Sequence, residues 1–389
     1  MFRMGKEEVE AVEKVIATKE LFRVNNALKQ AEKFEEDWAK TIGTDYAILL
    51  SSGTGALISA LVGMGIGPGD EVIVPGYTFM ASASAVLAVG AIPVLAEIDE
   101  TLTIDVEDIK KKISKHTKAI IPVHIQGFPC NMDALCDIAK KHGILILEDA
   151  CQSVGGSYKG KRLGTIGDTG AYSFNFYKVI TAGEGGAFFT DNRLFFERAL
   201  IYHDSSAVAY FGDQLSNFET PLFCGNEYRG NEISSAVMRA QLKRLDGILA
   251  DLRKNKKYMM DKLAPFCDFV PSNDIEGDCG TTLALRFDTI EKARTFAEDP
   301  AIRGTRPINT GKHIYKNWTP VMEKRGAFHP LMDPFKMEAN KDIVPDYKED
   351  MCPKTLDLLE KVVYISVNPD WTEEMMDAKV KDIIAVIEK

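Results

Sequence analysis

"YAILLSSGTGALISALVGMG" (residues 46–65) reads as an apolar strand, a Ser-Ser-Gly-Thr-Gly turn and a helical stretch. The same rhythm continues through "EVIVPGYTF" (71–79), "MASASAVLAVG" (80–90), "IPVLAEID" (92–99) and "TKAIIPVHI" (117–125). It runs on in "MDALCDIAKKHG" (132–143), "ILILEDA" (144–150), "TGAYSFN" (169–175) and "GGAFFTD" (185–191). Short apolar runs alternating with longer amphipathic ones are strands joined by crossover helices. Runs apolar on both sides, such as "AIIPV" and "ILIL", suit a sheet covered on both faces. The pattern predicts an α/β fold whose central sheet is mostly parallel, with helices on both faces.

Near residue 233 the rhythm changes. "EISSAVMRAQLKRLDGILADLRKNKKYMMDKL" (232–263) reads as one long helix that leaves the large domain and enters a smaller one. The tail, with "TTLALRFD", "VVYISV" and a closing helical run "TEEMMDAKVKDIIAVIEK", reads as a mixed α+β unit. The expected division is an N-terminal helix within 1–19 that packs on either domain, a large domain over 20–245 and a small one over 246–389.

The 389 residues are 45% hydrophobic and 27% charged, an ordinary globular balance long enough for two domains. A net charge of −10 argues against a nucleic-acid or anionic-membrane surface, since both reward a basic face. No run reaches membrane-spanning length, and Met1 leads into a polar stretch rather than a secretory signal. The seven cysteines form no C-x-x-C pair and the six histidines no metal-ligand spacing. The expectation is a cytoplasmic protein with reduced thiols and no metal.

Three motifs carry chemistry. In "LLSSGTGAL" (49–57) a strand runs into a glycine turn and a helix start, where free N–H groups make an anion site. Many such junctions hold no ligand. In "ILILEDACQSVGG" (144–156) a buried strand ends in Glu148-Asp149, at the edge where α/β sheets bind ligands. A lone Asp there more often caps a turn. In "YSFNFYKVITAGEGG" (172–186) Lys178 sits among Phe174, Phe176, Tyr177, Val179 and Ile180. Poor hydration favours the neutral amine, which suits Schiff-base chemistry. An anion turn, a crevice carboxylate and a desolvated lysine together describe a pocket for pyridoxal phosphate.

On the segments "SSGTGAL", "GDEVIVPGYTFMAS", "LEDACQSVGGSYKGKRLGTIGD" and "YSFNFYKVITAGEGG" the chain resembles the DegT/StrS-type sugar aminotransferases of the aspartate aminotransferase superfamily, fold type I. The resemblance covers residues 32–245. It implies Lys178 as the catalytic, cofactor-bearing lysine, Asp149 at the pyridine nitrogen and Gln152 at the phenolic oxygen. It implies phosphate contacts from Gly53, Thr54 and Ser173, and Phe79 stacked on the ring. It also implies a homodimer in which a partner's G-x-N-x-R segment reaches the phosphate. That segment reads Gly225-Asn226-Glu227-Tyr228-Arg229 here, with Glu227 at the amide position. Either Asn226 takes the role through a local shift, or the phosphate is held otherwise.

Relatives that dehydrate deoxysugars carry histidine where this chain has Lys178, so the resemblance implies transamination. Glutamate is the implied donor, pyridoxamine phosphate the intermediate form, and a ketosugar or sugar aldehyde the acceptor. The motif set is most similar to the branch acting on eight-carbon acidic sugars, the amino-octulosonates of bacterial surfaces. Candidate sugar contacts are Arg23, His203, Lys312 and His313, each with an ordinary core or surface role as the competing reading. A sugar dehydratase or lyase, and a cofactor-binding regulator, are the alternative functions.

Overall fold

The computed structural model describes residues 3–24, 26–211, 214, 215 and 217–389. Its strands, in chain order, are β1 (Tyr46–Leu50), β2 (Glu71–Pro75), β3 (Ile92–Ala96), β4 (Thr117–Ile120), β5 (Leu145–Asp149), β6 (Ser157–Tyr158), β7 (Lys161–Arg162), β8 (Thr169–Ser173), β9 (Gly186–Thr190), β10 (Asp268–Phe269), β11 (Thr282–Arg286) and β12 (Val362–Ser366). Seven of them form one sheet in the order β1-β9-β8-β5-β4-β2-β3. All pairings among β8, β5, β4, β2 and β3 are parallel, and β9 runs antiparallel to both its neighbours. The reversal follows from the connection: the β8–β9 link (174–185) contains no crossover helix, which a parallel return would need.

Side chains alternate across the sheet, as the strand period requires. Leu49, Ile73, Ile120, Ile146, Tyr172 and Phe189 enter one buried cluster with Phe34, Trp38, Leu135 and Leu249 from helices on that face. Ile48, Val72, Val74, Leu147, Ala171 and Phe188 enter the other, with Leu57, Leu61, Val86 and Leu200. Strands apolar on both sides therefore bury both sides, the arrangement their composition predicts.

The long C-terminal helix departs from expectation. It is two helices, Glu232–Leu242 and Leu245–Leu263, broken at Lys243 and Arg244. Side chains at the break are tied to the N-terminal segment. The Arg244 guanidinium turns to Glu7 and Glu8 at 2.7 Å each and to the Arg3 carbonyl, while Gln241 Nε2 donates to Glu8 at 2.8 Å. These bonds dock the N-terminal helix (Lys6–Thr18), which packs along Glu232–Leu242.

The second sheet is antiparallel, in the order β10-β11-β12. Leu283, Leu285, Val363 and Ile365 join the first cluster, and Ala284, Val362 and Tyr364 the second. Apolar packing thus runs unbroken from the large sheet into the small one. Among the described residues no helix is long and apolar enough to cross a membrane.

Candidate active site

At the C-terminal end of β1, Ser52 caps the helix Gly53–Met64, its Oγ accepting from Gly55 N at 3.0 Å. Ala56 N returns to Ser52 O at 3.0 Å, so the N–H groups of Gly53 and Thr54 precede the first intrahelical bond and stay available. Glycine is required at 53, since a Cβ there would lie 2.8 Å from Ser173 Cβ and 2.9 Å from Cys151 Sγ. Packing this close brings the helix start, β5 and β8 together around one cavity of about 680 Å³.

Gly53, Thr54, Phe79, Asp149, Gln152, Ser173 and Lys178 all line that cavity. The Asp149 carboxylate ends β5 and is buried, with Oδ1 accepting from Cys151 N at 3.1 Å and Oδ2 from Ser82 Oγ at 2.7 Å. Lys178 lies in the β8–β9 link, where Lys178 N donates to Asn175 O and Phe176 N to Gly183 O, each at 2.9 Å. Gly183 has a φ of +85°, a left-handed turn that glycine adopts without strain. Burial lowers the pKa of the Lys178 amine, opposed by Cys151 and Asp149 and reinforced by the charge of Lys312. Of its apolar neighbours in sequence, Val179 lines the same cavity, and Phe174, Val179 and Ile180 are all buried. Phe176 is exposed and outside the cavity lining, and Tyr177 lines the cavity while 81% exposed, which corrects the expectation that the whole aromatic run is buried around the lysine.

Gln152 Oε1 accepts from Gln126 N at 3.2 Å. A backbone N–H can only donate, so this bond fixes the flip of the amide and leaves the Gln152 NH₂ as its donor end. Gln126 holds the left-handed conformation (φ 53°, ψ 17°), a strained one for a residue with a Cβ. Thr281 Oγ1 donates to its carbonyl at 2.9 Å and Thr282 Oγ1 to its side-chain oxygen at 3.1 Å. Gln126, Thr281, Thr282 and Ser366 give the same cavity a hydroxyl- and amide-bearing wall. Sequence reasoning missed all four, because none belongs to a motif.

The sugar-contact expectations divide. Lys312 and His313 line the cavity, with the Lys312 amine 5.3 Å and the His313 ring 5.7 Å from the centre of the Phe79 ring. Arg23 and His203 do not line it, and this corrects their assignment. Arg23 is buried in an ion pair with Glu35 at 3.0 Å. His203 is buried with Nδ1 donating to Leu200 O at 2.7 Å, and burial, then the charges of Arg23 and Arg229, push its pKa down to about 3. Asn226 lies outside this chain's cavity lining, its Nδ2 donating to Tyr202 OH at 2.6 Å. Glu227 is neutralised by Arg229 at 2.6 Å. This segment sits beside its own chain's glycine turn, with Tyr228 O accepting from Ser51 N at 2.7 Å.

These residues fit pyridoxal phosphate. Two unclaimed N–H groups and a hydroxyl await an anion, and a poorly hydrated amine shares the cavity with a carboxylate. The volume is in the range of cofactor sites. Among the described residues no group of His, Cys, Asp or Glu is placed to hold a metal ion.

The family model described as the DegT/DnrJ/EryC1/StrS aminotransferase family matches residues 3–288. A GDP-perosamine synthase of Vibrio cholerae is 36% identical over 245 residues, covering 62% of this chain and 64% of that protein. Another, of Caulobacter vibrioides, is 40% identical over 234 residues, covering 60% and 61%. In these matches the chain spans less than two thirds of the length of those curated relatives. The solved structure of an aminotransferase from Psychrobacter cryohalolentis superposes with a TM-score of 0.80 at 26% identity, covering 100% of this chain and 98% of that one.

Proposed function

Because this chain belongs to the DegT/DnrJ/EryC1/StrS aminotransferase family, we propose that it is a pyridoxal-phosphate-dependent aminotransferase moving an amino group from an amino acid, glutamate, to the carbonyl of a ketosugar. The reading is carried by one observation: seven residues scattered from Gly53 to Lys178 converge on a single cavity. When bound, the cofactor supplies an aldehyde that condenses with amines and a ring that accepts the electron pair of a broken C–H bond. Everything else falls to this chain's residues. Gly53 N–H, Thr54 N–H and the Ser173 hydroxyl bind the phosphate. Asp149 would pair with the ring nitrogen, the Gln152 NH₂ would donate to the phenolic oxygen, and Phe79 would stack on the ring. Lys178 Nζ would hold the cofactor's aldehyde carbon, and its free amine is the group that would remove and return the proton.

On the same premise residues 20–245 form the cofactor-binding domain and 246–389 the smaller one, with the 1–19 helix packed on the first; residues 1 and 2 lie outside the described ones. A cytoplasmic homodimer completes the reading. Exposed apolar side chains at the site, Tyr177 in the cavity lining and Phe176 packed against it, support a subunit contact there. Lys312, His313 and the wall of Gln126, Thr281 and Thr282 face the acceptor. An eight-carbon acidic ketosugar suits the cation at Lys312. A nucleotide-linked ketohexose is the second reading, favoured by the curated relatives named GDP-perosamine synthase.

The test is absorbance. Holoprotein should lose its visible band on adding glutamate and regain it with one member of a panel of acidic and nucleotide-linked ketosugars. Lys178→Ala should lower turnover about 10²–10⁴-fold. A holoprotein whose band responds to no amino donor, or a Lys178→Ala variant with wild-type turnover, overturns the proposal.

A further inference from the structure

Asp149 is gripped from a direction the cofactor chemistry does not by itself require. Ser82 stands in the first turn of the helix Ala81–Ala88, and Thr78 just beyond β2, and both are fully buried. Ser82 Oγ has a single proton and three acceptors in reach: Asp149 Oδ2 at 2.7 Å, Thr78 Oγ1 at 2.8 Å and Phe79 O at 3.3 Å. The shortest bond, to a carboxylate oxygen, is the strongest. Thr78 Oγ1 lies 2.8 Å from Ser82 Oγ, against 3.4 Å from Phe79 O. With the Ser82 proton committed to Asp149, the Thr78 hydroxyl is the donor of the shared bond. The hydroxyls therefore form a directed chain, Thr78 to Ser82 to Asp149, whose buried members polarise one another. Cys151 N holds the other carboxylate oxygen. The carboxylate plane is fixed at both ends, and by elements of different origin: β5 with its following turn on one side, the β2 exit and the next helix on the other.

We propose that Ser82, backed by Thr78, is a positioning residue that sets the angle at which Asp149 meets a protonated ring nitrogen. This rests on the cofactor reading above. A carboxylate free to rotate pairs less well with that nitrogen, so the ring carries less positive charge, and the nitrogen at Lys178 then keeps its proton to higher pH.

The experiment titrates the visible band of the holoprotein with pH and measures the equilibrium affinity of the apoprotein for pyridoxal phosphate, with apoprotein thermal melting alongside. Ser82→Ala should weaken affinity about tenfold, the effect of one hydrogen bond to a charged group, and move the band's pH midpoint upward. Thr78→Val, which keeps the shape and removes the hydroxyl, should move it the same way by less. Thr78→Ser should restore the wild-type midpoint. Asp149→Asn serves as the reference. If it moves midpoint and affinity while Ser82→Ala and Thr78→Val move neither, the positioning role is overturned, whatever their melting temperatures. If Asp149→Asn itself changes nothing, the cofactor reading fails first and the inference with it. Should Ser82→Ala not fold, Thr78→Val against Thr78→Ser decides alone.

Discussion

His203 shows how a residue can look functional in sequence and serve packing instead. Its imidazole is fully buried, Nδ1–H is spent on Leu200 O, and its pKa falls to about 3 through burial and two nearby arginine charges. The folded value lies below the ordinary value of 6.5, so the unfolded chain binds the proton more readily. Stability from this group is complete above pH 6.5 and is lost as pH falls from there toward 3. The slope approaches about 1.4 kcal/mol per pH unit for one proton. His203→Asn keeps a donor toward Leu200 O and removes the titration, so its urea-unfolding free energy should fall less steeply between pH 6.5 and 4.5 than that of the wild type; equal slopes would refute the account. At this scale the readable residues were those whose chemistry is rare in a core: the lysine among Phe174, Val179 and Ile180, and the carboxylate ending "ILILED". Ser82, Thr78 and Gln126 were not readable. Buried hydroxyls are common, and a left-handed backbone at a glutamine leaves no trace in composition.

Among elements, the helix Gly53–Met64 shows why one glycine matters. The helix is buried nearly all round, and its first residue touches Ser173 and Cys151 more closely than a Cβ allows. Gly53→Ala forces β8, the Cys151 turn or the helix start to move. The expected cost is about 1–3 kcal/mol of stability, typical of overpacking, with a loss of pyridoxal phosphate affinity because the displaced N–H groups are those facing the cavity. Denaturant unfolding and a cofactor titration check the two parts, and a variant matching wild type in both contradicts the close packing. All seven strands of the large sheet were legible, since runs such as "EVIVP" and "ILIL" have no polar face to spare. The break at Lys243 and Arg244 was not legible, because both residues suit a helix and the partners of Arg244, Glu7 and Glu8, lie at the other end of the sequence. The two-residue strands β6, β7 and β10 are too short to show any period.

Across the whole molecule, the two sheets close the cavity jointly, and specific polar bonds pin one to the other. Tyr77, just past β2, and Tyr364, in β12, are both buried and meet hydroxyl to hydroxyl at 3.1 Å. Burial raises the pKa of both phenols well above the ordinary range, so each stays a neutral donor and acceptor at any working pH. The bond spans the proposed 245/246 division and lies inside the second of the two buried clusters, to which both tyrosines belong. Removing one hydroxyl strands the other in a dry site, which costs about 1–3 kcal/mol, whereas removing both leaves two apolar rings in contact. A double-mutant cycle of Tyr77→Phe and Tyr364→Phe, read by urea unfolding, should therefore give a double variant less destabilised than the sum of the singles, with a coupling energy of about 1 kcal/mol. Zero coupling would mean that this bond adds nothing to the hold between the two sheets, which then rests on the apolar packing around the pair and on bonds such as those from Thr281 and Thr282 to Gln126.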